Sequence, residues 1–300
     1  MLFGYVLSGD YTTASHSGPF NLLSSNYSAL VDGKPGVKTL FKQTGAVAPA
    51  TLQLNFSFGG AQQFEWLLPY PYLMLGVVNI GNARMEDAGT ANQLTPSVKF
   101  TVNGRWNGGG AKTSQALVGP SGYSSAWAVI RKDEIVGGAA TSTLQVELTG
   151  TFNSGVQAAF GNFGIGEVVI VGADYLPLRS VTQGIGGLAP TNRASGNLPW
   201  PLARSPFRTV NGVLAPESRA DAFITPIHNS RNYMQMTAMA ARKSGCVIAP
   251  YWRDQGTAGP NLTVLNNNAM MARLMSQPPS LAGSATENRY SGTFAFEELL

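Results

Sequence analysis

The sequence predicts a mainly β protein. An N-terminal antiparallel β-sandwich of jelly-roll type is expected over residues 1–178. A smaller α+β domain is expected over residues 220–300. Three observations lead there. Period-two alternation recurs in three segments, each closed by glycine. A short apolar run, Phe163–Gly172, leads into Ala173-Asp174-Tyr175-Leu176-Pro177, as a buried strand does on leaving a core. Beyond it the texture changes, and the clearest helical pattern of the chain lies in the last third.

The elements follow in chain order. Phe3, Tyr5 and Leu7 alternate with smaller residues and suit an initial strand. Leu52, Leu54, Phe56 and Phe58 alternate with Gln53, Asn55 and Ser57, and stop at Gly59-Gly60. Val98, Phe100 and Val102 repeat the pattern before Gly104, and Leu144, Val146 and Leu148 before Gly150. Such alternation describes an antiparallel sheet with one wet face. Leu54, Phe56, Phe100, Val102, Val146 and Val169 are its expected inward residues. Leu73–Ile80 is a continuous apolar run suited to an inner strand, and Trp127–Ile130 is a second candidate. Asn107-Gly108-Gly109-Gly110 and Gly137-Gly138 read as loops.

Residues 179–219 carry Gly184, Gly186, Gly187, Pro190, Pro199, Pro201, Pro206 and Pro216. They read as an extended Pro/Gly-rich connecting arm. So long a loop is uncommon inside an isolated domain, whereas in an assembly it lies on a neighbouring subunit. The spacing then predicts a helix over 230–243. Asn229 or Ser230 caps it, Arg242 and Lys243 fall in its last turn, and Gly245 stops it. Strands are expected at Cys246–Ala249 and at Thr293–Glu297.

Composition narrows the function. Apolar residues make up 44% of the 300 residues and charged residues only 12%, about half the usual quarter. A surface of amides and hydroxyls suits a subunit buried among others, and it also suits a secreted β protein. The balance of 20 basic to 16 acidic residues, net +4, includes no Lys/Arg run, so no nucleic-acid partner is expected. Cys246 is the only cysteine, which excludes an intramolecular disulfide and reads as a buried small hydrophobe. The first residues lack the basic start and long apolar stretch of a signal peptide. No apolar run reaches the roughly 20 residues of a membrane helix. A soluble product made in a cytoplasm is expected, with no membrane span.

Catalytic material is scarce. The two histidines, His16 and His228, stand far apart in sequence and outside any metal-binding spacing, so neither a metal nor another cofactor is expected. Asn107–Thr113 superficially suggests a phosphate loop, but Ala111 occupies the glycine position before Lys112. Gly164-Ile165-Gly166 precedes a strand instead of following one, so it is no dinucleotide fingerprint. No G-x-S-x-G occurs. Glu86-Asp87, Asp133-Glu134 and Glu297-Glu298 are neighbours whose side chains diverge on a strand, which suits no acid/base couple. No catalytic site is expected, and the protein is expected to work by assembling. Three Asn-x-Ser/Thr triplets, at Asn26, Asn55 and Asn261, read as chance matches. The binding candidates are loop aromatics beside amides or glycine: Trp106 with Asn107, and Tyr123, as contacts for a carbohydrate. Their alternative reading is as core or subunit-interface rings.

Phe20-Asn21-Leu22-Leu23-Ser24-Ser25-Asn26-Tyr27, followed by Leu30-Val31-Asp32-Gly33-Lys34-Pro35-Gly36, resembles the opening of discoidin-like or galectin-like β-sandwiches in bacteriophage tail proteins. So does the later order of segments: Leu52–Phe58, then Val78-Asn79-Ile80-Gly81, then Phe163–Gly172 with Tyr175-Leu176-Pro177 behind it. The last third, through Pro250-Tyr251-Trp252 to Phe294-Ala295-Phe296-Glu297-Glu298, is similar to minor tail or distal-tail components. The resemblance implies a virion structural protein at the tail tip of a long-tailed phage. It would be a ring or adaptor subunit joining tail tube to baseplate hub or fibres. Its partners would be copies of itself and other tail proteins. The resemblance supplies no catalytic motif to transfer. The alternative is a carbohydrate-binding or receptor-binding tail component acting on host polysaccharide, and a third reading is a polysaccharide-degrading glycosidase.

Overall fold

The computed structural model describes residues 1–5, 11–24, 26–44, 49–58, 72–82, 93–102, 111–131, 143–152, 162–175, 178–186, 191–193, 199–201, 207–214, 217–218, 246–253, 259–275, 282–284 and 289–299. The first elements are β1 (Leu2–Tyr5), β2 (Tyr11–Ser17), β3 (Phe20–Leu22), a 3-10 turn (Ser28–Leu30), β4 (Thr39–Gln43) and β5 (Ala50–Phe58). Next come β6 (Tyr72–Asn82), β7 (Ser97–Val102), β8 (Ala111–Gln115), β9 (Leu117–Val118), β10 (Ser124–Arg131), β11 (Thr143–Gly150) and β12 (Asn162–Tyr175). Then follow β13 (Leu178–Gly186), β14 (Thr191–Arg193), β15 (Pro199–Pro201), β16 (Phe207–Leu214), β17 (Glu217–Ser218) and β18 (Cys246–Ala249). The last are α1 (Leu262–Asn268), β19 (Met270–Leu274), β20 (Ala282–Ser284), β21 (Arg289–Ser291) and β22 (Thr293–Glu298). The fold is mainly β, and the pairing throughout is antiparallel.

The three alternating segments pair as expected. They are β5, β11 and β7, the inner strands of a five-stranded sheet in the order β2-β5-β11-β7-β8. Alternation sorts their faces. Leu52, Leu54, Phe56, Val98, Phe100, Val102, Leu144, Val146 and Leu148 are buried in one cluster. The opposite face is polar and self-bonded: Lys99 Nζ lies 3.0 Å from Glu147, and Gln145 Nε2 donates to Glu147 Oε1 at 2.9 Å.

The second sheet has twelve strands and curls. Its main path is β13-β16-β22-β19-β18-β1-β12-β6-β10-β9, with β4 also on β12 and β3 on β4. Leu73, Leu75, Val77, Ile80, Ala128, Ile130, Phe163 and Ile165 on one face join the cluster of the five-stranded sheet. Met74, Trp127, Val129, Val169 and Val171 on the other face meet Trp252 and Leu265. Burial on both faces explains why β6, β10 and β12 read as unbroken apolar runs. A third cluster, with Phe3, Cys246, Ile248, Phe294 and Phe296, fills the curl of β1, β18, β19, β22 and β16. All six expected inward residues are buried, but Val169 faces the second cluster and not the first.

The segment expected to be an irregular arm contains regular pairing. β13 pairs with β16 from Leu178↔Leu214 to Gly186↔Phe207, and β14 pairs with β15 between them. β16 continues onto β22. The larger sheet therefore runs across both expected boundaries, at 178 and at 219. The prolines that suggested irregularity flank these strands or sit in the short β14–β15 ribbon. The expected helix over 230–243 lies outside the described residues. Among the described residues the one α-helix is α1. Asn261 caps it, its side-chain oxygen accepting from the N–H groups of Thr263 and Val264 at 3.0 and 3.2 Å.

α1 is short but firmly tied. Asn266 Oδ1 accepts from Trp127 N–H, and its Nδ2 donates to Ser114 Oγ at 2.7 Å and Gln115 O at 3.3 Å. One amide thus links the helix to both sheets. At the helix C-terminus, Arg208 donates to Asn267 O and Ala269 O at 3.2 and 3.0 Å. The same guanidinium grips Glu298, Nε to Oε1 at 2.9 Å, with the ion pair buried.

Candidate functional site

Of the residues expected to contact a carbohydrate, Trp106 and Asn107 lie outside the described residues. Tyr123 stands at the turn between β9 and β10, where its carbonyl accepts from Gly119 N–H at 2.8 Å. Its side chain is 7% exposed, so its ring has no open face for a sugar in the single chain.

Of the residues with potential chemistry, His228, Glu86, Asp87, Asp133 and Glu134 lie outside the described residues, while His16 and Cys246 are held structurally. His16 is fixed by Tyr27 OH at 2.6 Å and Phe20 O at 2.9 Å. Cys246 donates to Ala272 O at 3.3 Å, and complete burial pushes its thiol far above the ordinary range. No three or more His, Cys, Asp or Glu side chains are placed together so as to hold a metal ion among the described residues. No helix among them is long and apolar enough to cross a membrane.

Two features stand out. The first is a buried polar knot where the segment 30–36 crosses β6 and β12. Asn79 on β6 takes a left-handed φ of 59°, and it sits opposite Gly166 of β12. At this point the faces of both strands exchange: Val77 and Ile80 share one cluster, as do Ile165 and Val168. Glycine is needed at 166 because a Cβ there would strike Pro35 O. Asn79 Nδ2 donates to Pro35 O at 3.0 Å, and Gly33 N–H donates to Glu167 Oε1 at 3.1 Å. Glu167 is 1% exposed, and its Oε2 has no hydrogen-bond partner. Burial, reinforced by the nearby Asp32 charge, raises its carboxyl to about 8, against the pull of the Gly33 and Lys34 N–H groups. The knot joins Leu30–Gly36 to Phe163–Gly172.

The second feature is a groove of about 730 Å³. It lies where β12 ends, β13 begins and the chain leaves β18. Tyr175 and Tyr251 are 43% and 51% exposed on its walls. Trp252 is buried beneath, set edge-on to Tyr72 at 5.1 Å between centroids. The Arg253 guanidinium lies 5.1 Å from the Trp252 ring centroid and 5.9 Å from that of Tyr175, within cation–π range. Arg179 is exposed on the β13 side. The sequence carried a signal for this place. Tyr175-Leu176-Pro177 and Pro250-Tyr251-Trp252 both set aromatics beside proline just after a buried strand. Only the pairing of β1 with β12 and with β18 shows that the two exits are adjacent: Leu2 lies opposite both Tyr175 and Ala249.

No family model matches the chain, and no curated protein matches it.

Proposed function

We propose that this protein is a structural subunit of a long-tailed bacteriophage virion, a ring or adaptor component of the tail tip made in the host cytoplasm. In this reading the five-stranded sheet and the facing strands of the larger sheet form a discoidin-like β-sandwich. It carries no catalytic site and binds copies of itself and other tail proteins. The observation that carries the reading is the edge formed by β13. Among the described residues this strand is terminal in the twelve-stranded sheet. Arg179, Ser180, Thr182, Gln183, Gly184 and Ile185 are exposed along it, and after Arg179 it bears no charge. A long, nearly uncharged edge is a template for adding a strand from another chain. The low charge of the whole chain and the motif resemblance support the same reading.

Light scattering and negative-stain images of the purified protein test it. Rings or a defined oligomer are expected. Ile185→Lys places a charge on a residue already 53% exposed and should dissociate the assembly without unfolding the chain. A monomer under all conditions, or an I185K assembly of unchanged size, would refute the role given to β13.

A second reading, carbohydrate or receptor binding, is favoured by one observation. The groove carries two half-exposed tyrosines, whereas Tyr123 is buried.

A further inference from the structure

We infer that the groove between Tyr175, Arg179, Tyr251 and Arg253 is a binding site for an acidic saccharide, one bearing uronate-type carboxylates. This inference deepens the carbohydrate reading and rests on it. It is separate from the assembly reading, because a ring subunit and a monomer would both carry the groove.

Three features of the site select the ligand. The first is shape. The groove is open and of a size that suits a short run of sugar rings. Its walls carry the exposed Tyr175 and Tyr251, aromatic rings of the kind that stack on the apolar faces of sugars. The second is charge. Arg179 and Arg253 both line the groove, and no acidic side chain does so among the described residues. A guanidinium pairs with a carboxylate through two parallel hydrogen bonds, so a ligand with repeated carboxylates fits two separated arginines. The third is rigidity. Arg253 is held over two rings, and the Trp252 ring below it is packed against Tyr72, while Trp252 O accepts from Asn261 N–H at 2.9 Å. A cation held in place before binding loses little freedom when the ligand arrives.

An acidic peptide has the same charge, but it would bind by adding a strand to β13. At the groove β13 is irregular, with a register shift between Leu178 and Ser180. A bulge interrupts the ladder and twists the edge away from a new strand. Recognition at this end of β13 therefore falls to side chains, which favours the saccharide.

Titration calorimetry on the full chain tests the inference, with trigalacturonic acid, its neutral methyl ester and hexaglutamate as probes. The acid should bind roughly tenfold more tightly than the ester. R179Q/R253Q should bring the two saccharides to the same affinity, and Y251A should weaken both. All three side chains are exposed, and circular dichroism checks that the variants stay folded. Equal binding of acid and ester to the unmodified chain would overturn the acidic class and leave the carbohydrate reading standing. Binding of neither saccharide would overturn both. Tighter binding of hexaglutamate, lost in the same variants, would overturn the inference in favour of an acidic peptide.

Discussion

Glu167→Gln isolates the electrostatic burden of the buried knot. In the folded protein the Glu167 carboxyl titrates near 8, against 4.5 for an unperturbed glutamate, chiefly because burial disfavours its charged form. Below pH 4.5 both folded and unfolded chains hold the proton, and the stability this site contributes is fully present. As the pH rises from 4.5 toward 8 the unfolded chain ionises first, so stability falls. Above 8 the loss is complete. The gap between 4.5 and about 8, at about 1.4 kcal/mol per pH unit, sets a ceiling of roughly 5 kcal/mol on that loss. The E167Q chain cannot ionise there, and its amide oxygen can still accept from Gly33 N–H. Urea unfolding of both chains at pH 5, 7 and 9 reads the effect as a change in their stability difference. A packing difference between the two side chains is constant with pH and cancels. E167Q should gain on the parent chain by several kcal/mol between pH 5 and pH 9. A stability difference that is flat across this range would refute the assignment of a buried, proton-holding carboxyl.

Three further outcomes follow from particular contacts. Gly76→Ala should destabilise by about 1–3 kcal/mol, because a Cβ at 76 would enter the ring of Trp127, its buried cross-strand partner; thermal melting measures it. Glu298→Ala should cost about 3–5 kcal/mol, since it leaves the Arg208 guanidinium buried without its carboxylate. Restoring stability by a second change, Arg208→Met, would show that the uncompensated charge and not lost packing was responsible. Asn266→Ala should cost about 1–3 kcal/mol, because Trp127 N–H loses its acceptor inside the protein. Hydrogen exchange at Trp127 should accelerate in that chain.

What was legible in the sequence was burial on one face or two. Strict alternation located β5, β7 and β11, and continuous apolar runs located β6, β10 and β12, because each pattern is a direct imprint of which faces are dry. What was not legible was the meaning of glycine inside the later strands. Gly186 lies opposite Phe207, and Gly212 opposite Phe294; in each pair the aromatic ring fills the space a Cβ would need. Gly76 beneath Trp127 is a third case. Read singly these glycines look like breakers, and so the sequence of β13 and β16 reads as an irregular arm. Read against a partner strand they are seats for rings. The partner is far away in sequence, so local pattern cannot supply it. α1 was missed for another reason. Leu262–Asn268 has two β-branched residues and three asparagines and no helical stripe, and only Pro260-Asn261 signals its start. The candidate groove was half legible, since its aromatics were visible but not their adjacency.

The two surfaces assigned to β13 divide along its length, which makes them separable. Leu178 to Val181 line the groove, at and just past the register shift. Thr182 to Gly186 continue in regular pairing with β16 on one side, and no other described strand pairs with them. A strand from a neighbouring copy would use the regular part, where successive backbone groups repeat at the spacing a ladder needs. The bulge marks where that repeat stops and where side-chain recognition takes over. Ile185→Lys should therefore disturb assembly and leave saccharide binding intact, while Arg179→Gln should do the reverse. If either substitution abolished both properties, the edge and the groove would be one surface, and a neighbouring chain that pairs with β13 would also have to fill the space between Tyr175 and Tyr251.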